Sequence, residues 1–101
     1  MSFLFHPEAE AEFWQAVDYY AQIRPELGHE FAMETYAAIE RAMEFPEAWS
    51  ELEDGIRRSL LNRFPYGILY YQKNDGAVFI VAVAHLHRAP DYWRGRYREG
   101  E

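Results

Sequence analysis

The sequence predicts an α+β fold, with an antiparallel two-helix hairpin packed on one face of a mainly antiparallel four-stranded sheet. The expected order is β-α-α-β-β-β, followed by a short C-terminal helical tail. Three observations carry this. Residues 7–45 place apolar side chains at helical spacings of three and four. The later chain changes to short runs of branched and aromatic residues divided by turn signals. One of those runs, AVFIVAVA at residues 77–84, has no polar face, as a strand buried on both sides requires.

Each element has its own local reason. FLF at residues 3–5 suits a short edge strand. Pro7 then fits a first helical position, where its missing N–H costs nothing. Glu8, Glu10 and Glu12 follow near the positive end of the helix dipole. Ala9, Phe13, Ala16, Val17, Tyr20 and Ile23 make one apolar stripe, and Pro25 ends this helix and opens the next. Leu27, Phe31, Thr35, Ala38, Ile39 and Ala42 make the second stripe, closed by Phe45-Pro46. The aromatic set Phe13, Trp14, Tyr20 and Phe31 reads as core, and Asp18, Glu30, Glu34, Glu40 and Glu44 read as a solvated outer face. IRRSLLNRF (56–64), YGILYYQ (66–72) and AVFIVAVA then supply three strands. Asp75-Gly76 joins the last two as a hairpin, since glycine takes the positive φ that a tight turn needs.

Composition narrows the classes of function. Residues 1–101 read as one domain. There is no cysteine, so neither disulfides nor thiolate metal sites hold the chain. No stretch approaches the ~18 apolar residues of a membrane span, and the N-terminus lacks the basic start of a signal peptide. A soluble, cytoplasmic protein without membrane contact is expected. The net charge of −7 hides an asymmetry. Residues 1–54 hold 13 acids against two arginines, −11, whereas residues 55–101 hold eight Lys/Arg against four acids, +4. A functional basic surface backed by an acidic one is the expected layout.

The basic half concentrates chemistry in HLHRAPDYWRGR, residues 85–96. Strand alternation puts Arg57, Ser59 and Arg63 on one face, opposite Ile56, Leu60 and Phe64. His85 and His87 share a face at the end of the apolar strand, and Arg88 follows. These groups are expected on the open sheet face or its rim, with Tyr92, Trp93 and Arg96 folding over them. Cations bind phosphate, rings stack on bases and histidine moves protons near neutral pH, which is a toolkit for RNA. Tyr, Trp and Arg also dominate protein-binding hot spots. The residues alone leave both readings open. His85-x-His87 supplies only two ligands, so no metal site and no cofactor is expected. No Ser–His nucleophile motif or glycine-rich phosphate loop is present.

The order of HPEAEAEFWQAVDYYAQIRPELGHEF (6–31), FPEAW (45–49), GIRRSLLNRFPYGILYY (55–71) and AVAHLHRAPDYWRGR (82–96) resembles the RelE/ParE superfamily of type II toxin–antitoxin toxins, often labelled plasmid-stabilisation proteins. The resemblance implies a toxin held inactive by a cognate antitoxin, as a homodimer or in a toxin–antitoxin hetero-oligomer. ParE-like members block DNA gyrase. RelE-like members cut mRNA on the ribosome without a metal, and a third expectation is an inactive member that only binds its antitoxin. By position, Arg57 matches the family's basic residue on the first strand after the helices. His85 and Arg88 match its H-x-x-R, and Tyr92-Trp93 fall in its aromatic tail. Tyr66 and Tyr70 match tyrosines of structural type. A nuclease would use His85 as acid/base, Arg57 and Arg88 as charge clamps and Tyr92 or Trp93 for stacking. Contacts to target or antitoxin are expected from Arg57, Arg63, His87, Arg88, Tyr92, Trp93 and Arg96. Two departures favour gyrase as the target: the helical half is acidic, and Lys73 is the only lysine.

Overall fold

The computed structural model describes residues 2–89 and 91–96. Its elements are β1 (Phe3–Phe5), α1 (Pro7–Ile23), α2 (Pro25–Glu44), β2 (Glu51–Glu53), β3 (Ile56–Leu60), β4 (Tyr66–Gln72) and β5 (Val78–His85). The strands lie in the order β1-β5-β4-β3-β2, with β1 parallel to β5 and every other pair antiparallel. The class is the expected α+β arrangement, but the sheet has five strands rather than four. The added strand, β2, is Glu-Leu-Glu and has no hydrophobic pattern to announce it. Its turn does: Asp54 (φ 47°) and Gly55 (φ 82°) both adopt the left-handed conformation of a tight hairpin.

Both helices begin on a proline, for the expected reason. The sequence reading overlooked the cap of α1, where the His6 Nδ1 accepts the Glu8 N–H at 3.0 Å. Arg24 is extended between the helices, and Pro25 restarts the chain as α2. The hairpin covers one sheet face with Phe13, Phe31 and Ile39 against Ile68, Tyr70 and Ile80. The far face carries Ile56, Leu69, Phe79, Val81, Ala82 and Ala84, and Trp93 of the tail closes over it. That explains the missing polar face of AVFIVAVA: each side of β5 has its own cover. Pairing shifts from Leu69 opposite Ala82 to Tyr70 opposite Ile80, so Val81 is an extra residue in a β-bulge.

Three sequence expectations change. Trp14 is 53% exposed and Ile23 is 56% exposed, so neither is core. The tail is not an α-helix among the described residues. Asp91–Arg96 form consecutive turns, closed by the Arg94 N–H on the Asp91 carbonyl and the Arg96 N–H on the Trp93 carbonyl. Residues 97–101 lie outside the described residues.

Close approach of the helices depends on Gly28. A Cβ there would stand 2.8 Å from the Ala21 Cβ and 2.9 Å from the Val17 carbonyl oxygen. Gly28→Ala gains about 1 kcal/mol of helix propensity, but overpacking against a neighbouring backbone costs about 1–3 kcal/mol. The cost wins because a carbonyl cannot rotate away as a side chain can. A thermal melt should show Gly28→Ala lowering Tm by several degrees, at ~4–8 °C per kcal/mol for a domain of this size.

Candidate functional site

β1 is only three residues long, so β5 runs past it. Beyond Ile80, no strand lies on that side of β5 among the described residues. The exposed backbone edge is satisfied by side chains instead. The Val83 N–H donates to the Glu12 Oε1 at 3.0 Å, and the Arg96 Nη1 donates to the Val81 carbonyl at 3.2 Å. The same guanidinium nitrogen meets the Glu12 Oε1 at 3.0 Å. The other carboxylate oxygen of Glu12 lies 3.5 Å from the Arg88 Nη1. The Glu12 and Arg96 side chains are both only 9% exposed. Glu12 therefore ties α1, the bulge of β5 and the tail into one buried cluster.

Tyr92 completes it. The Arg88 and Arg96 guanidinium carbons stand 3.9 and 4.9 Å from the Tyr92 ring centroid. The Tyr92 hydroxyl is buried beside the Glu12 carboxylate. Burial pushes its pKa well above the ordinary tyrosine value, and the nearby Glu12 charge pushes the same way. Burial also raises Tyr66, reinforced by Tyr20, Tyr19 and Glu12. Neither phenol supplies a phenolate near neutral pH.

The expected gathering of cations and imidazoles occurs only in part: His85, Arg88, Tyr92 and Trp93 line one groove, but Arg57 and Arg63 do not join them. Ile56 packs on the far face with Trp93, so Arg57 and Ser59 turn toward the helices, the reverse of the expected assignment. The Arg57 Nη1 donates to the Trp49 carbonyl, and its Nη2 lies 3.9 Å from Glu51. Arg63 leaves the sheet for α2. Its backbone N–H donates to the Glu34 Oε1 at 2.7 Å, its Nε to the Oε2 at 3.2 Å, and its Nη1 lies 3.6 Å from Glu30. Glu34 also accepts the Asn62 N–H, so it is a strap between α2 and the sheet and not an outer-face carboxylate. Phe64 joins the helix-side core as expected, whereas Leu60 is exposed.

His85 pairs with Tyr66 and shares its helix-side face, with the ring centroids 5.2 Å apart. The His85 Nδ1 accepts the His87 N–H at 3.1 Å, and the two imidazoles lie 5.2 Å apart. With Glu12, Gln15, Tyr19 and Arg88, His85 lines a shallow cleft of about 200 Å³ between α1 and the end of the sheet. A second groove of about 250 Å³ lies on the far face, where His85, Arg88, Tyr92 and Trp93 come together with Arg58 and Arg94. Arg94 bridges its side, gripping Glu53 at 2.7 and 3.0 Å. Trp93 is buried, and Arg96 is spent on Glu12, so neither offers a free contact surface in this conformation. No group of three or more His, Asp or Glu is placed to hold a metal among the described residues. No helix among them is long and apolar enough to cross a membrane.

Sequence reasoning missed Glu12, Arg58 and Arg94. Glu12 had a signal: it lies three residues after Ala9 and four before Ala16, on the flank of the buried stripe. A carboxylate there needs a cation from elsewhere. Removing one member of a buried ion pair costs about 3–5 kcal/mol because the other charge is left uncompensated. Arg96→Ala should therefore destabilise the protein by an amount in that range in urea unfolding. Arg24→Ala, which breaks an exposed pair with Glu26, should change stability by under ~1 kcal/mol.

The family model for the ParE toxin of the type II toxin–antitoxin system, parDE, matches residues 3–90. A chain of the solved structure titled "Chromosomal ParDE TA system from P. aeruginosa" is similar in fold, with a TM-score of 0.66 and 17% sequence identity. The match covers 86% of this chain and 97% of that one. No curated protein matches the sequence. With nearly the whole described chain inside the family match and the helical hairpin on its sheet in place, this protein belongs to the ParE toxin family.

Proposed function

We propose that this chain is the toxin of a type II toxin–antitoxin pair, neutralised by a cognate antitoxin, and that it acts by binding DNA gyrase and blocking it. His85, Arg88 and Tyr92 line one groove, so the observation that carries the choice of a binder over a nuclease is the separation of Arg57 from the rest of the expected RNA-cleaving set. Arg57 pairs with Tyr70 and His85 pairs with Tyr66, on opposite sides of β4. That places them about 13 Å apart along the strand and about 10 Å apart across it, at ordinary strand spacings. Cleaving RNA needs a proton donor or acceptor within ~3 Å of the reacting oxygen and a charge stabiliser at the same phosphate. The Arg57 guanidinium is, besides, turned away to the Trp49 carbonyl and Glu51, so it is not set to share a phosphate with His85.

Arg58 is exposed in the far-face groove, but the other arginines around it support the same reading. Arg88 and Arg96 hold Glu12, Arg63 holds Glu34, and Arg94 holds Glu53. A phosphate clamp would have to break these pairs before it could engage a substrate. Inhibition by binding needs no such convergence. It needs one complementary surface, with energy concentrated in a few aromatic and arginine anchors.

Expression of this chain alone should arrest growth with induction of the DNA-damage response, and co-expression of the adjacent gene's product should relieve the arrest. In a purified translation reaction, mRNA should remain uncut. His85→Ala and Arg88→Ala should weaken toxicity in graded steps, not by the ~10²–10⁴ that loss of a general acid or base removes. Position-specific mRNA cuts that vanish in His85→Ala would overturn the gyrase reading in favour of the nuclease.

A further inference from the structure

The hairpin covers the sheet with one face and leaves the other bare. Two large aromatic residues stand at its centre. Trp14 of α1 and Tyr36 of α2 both pack on the buried Phe13 ring, at centroid distances of 4.9 and 5.6 Å. Both therefore border the Phe13 ring, Tyr36 also reaching Phe3 of β1 at 6.3 Å, and they remain 53% and 40% exposed. Met33, three residues before Tyr36 on the same side of α2, is 58% exposed. The close packing at Gly28 draws the two helices into one continuous surface. Scattered exposed apolar residues are ordinary, but a cluster of aromatic residues marks an interaction surface.

The charges around this cluster say what it would accept. Glu10 and Asp18 lie one turn before and after Trp14, and Glu40 lies one turn after Tyr36. All three are exposed, and none has an ion pair among the described residues. This contrasts with Glu12 and Glu34, the hairpin carboxylates that turn inward and are held by arginines. Arginines are thus set on Glu8, Glu12, Glu26, Glu30 and Glu34 of the hairpin, and Glu10, Asp18 and Glu40 are left without an ion pair among the described residues.

We infer that the outer face of the α1–α2 hairpin, centred on Trp14 and Tyr36, is the surface that docks on the target enzyme. Its occupant is a cationic surface with an apolar centre, of the kind a DNA-binding enzyme presents. This rests on the gyrase reading and assigns it a face. The aromatic rings supply the desolvated anchor. The ring of carboxylates supplies sign selectivity and accelerates encounter, an effect that salt screens over ~8–10 Å. A second copy of this chain would set carboxylates against carboxylates at this face, which disfavours self-association there.

The test is inhibition of plasmid supercoiling by purified gyrase, titrated with full-length protein. Trp14→Ala/Tyr36→Ala and, separately, Glu10→Lys/Asp18→Lys/Glu40→Lys should each raise the concentration for half-inhibition at least ~10-fold. Inhibition by the wild type should weaken as salt rises. Because these side chains are exposed, melting temperatures should stay within a few degrees of wild type, which separates lost docking from lost folding. A wild type that inhibits gyrase while both variants inhibit equally well overturns the inference and leaves the gyrase reading intact. A wild type with no effect on gyrase overturns both. Variants that lose only the antitoxin, or that only change from dimer to monomer on sizing, while inhibition persists would give the face to another occupant and overturn it as well.

Discussion

A carboxylate buried at the end of a strand organises this molecule. β5 is the apolar interior strand, and three residues of β1 cannot pair with all of it. Unsatisfied backbone groups buried beside a core cost about 1–3 kcal/mol each. Glu12 and Arg96 remove that cost together, one taking the Val83 N–H and the other serving the Val81 carbonyl. Neither charge would be tolerated alone at that depth, so the helix and the tail hold each other in place. The docked tail then carries Trp93 onto the far face, where it completes the second core with Ile56, Leu69 and Phe79. Sheet edge, tail and second core are consequences of one ion pair.

The same pairing shapes the chemistry left at the surface. A chain with an acidic front half and a basic back half suggests a free basic surface, but the fold brings the halves together. Arg63, Arg88 and Arg96 are set on carboxylates of the hairpin, and Arg94 on that of β2. Arg58, exposed in the far-face groove, has no ion pair among the described residues. Glu10, Asp18 and Glu40 on the hairpin have no such partners among the described residues, so unpaired negative charge is displayed on the helices. A protein of this kind meets its partners with an acidic, aromatic helical face more readily than with a nucleic-acid grip.

Much of the fold was legible because local signals agreed with one another. Pro7, Pro25 and Phe45-Pro46 bound both helices, and two stripes at spacings of three and four named most of the helix-side core. β2 was missed because a Glu-Leu-Glu strand has no apolar pattern, although Asp54-Gly55 is the same dipeptide that marked the β4–β5 turn. The reading of β3 failed on face. Alternation says that Arg57 opposes Ile56 but not which of the two meets the helices, and Trp93 arriving from the tail decides it. The site was less legible for the same reason: it joins residues 71 and 84 positions apart. The signal that did exist was a rule about acids. Glu12 and Glu34 each lie three residues after one apolar stripe position and four before another, and both turn out to hold the basic half. The tail beyond Arg96 lies outside the described residues.

The account stands most directly on whether Glu12 closes the edge of β5 and holds the tail. Native-state hydrogen exchange at the Val83 amide and the Trp93 indole N–H, compared between wild type and Glu12→Ala, measures both ends of that link at once. Slow exchange at both positions in the wild type, lost at both in the variant while the amides around Phe31 and Ile39 stay protected, is the expected result. Equal protection at Val83 and Trp93 in the two proteins would mean that the edge and the tail are held without Glu12, and would contradict the account.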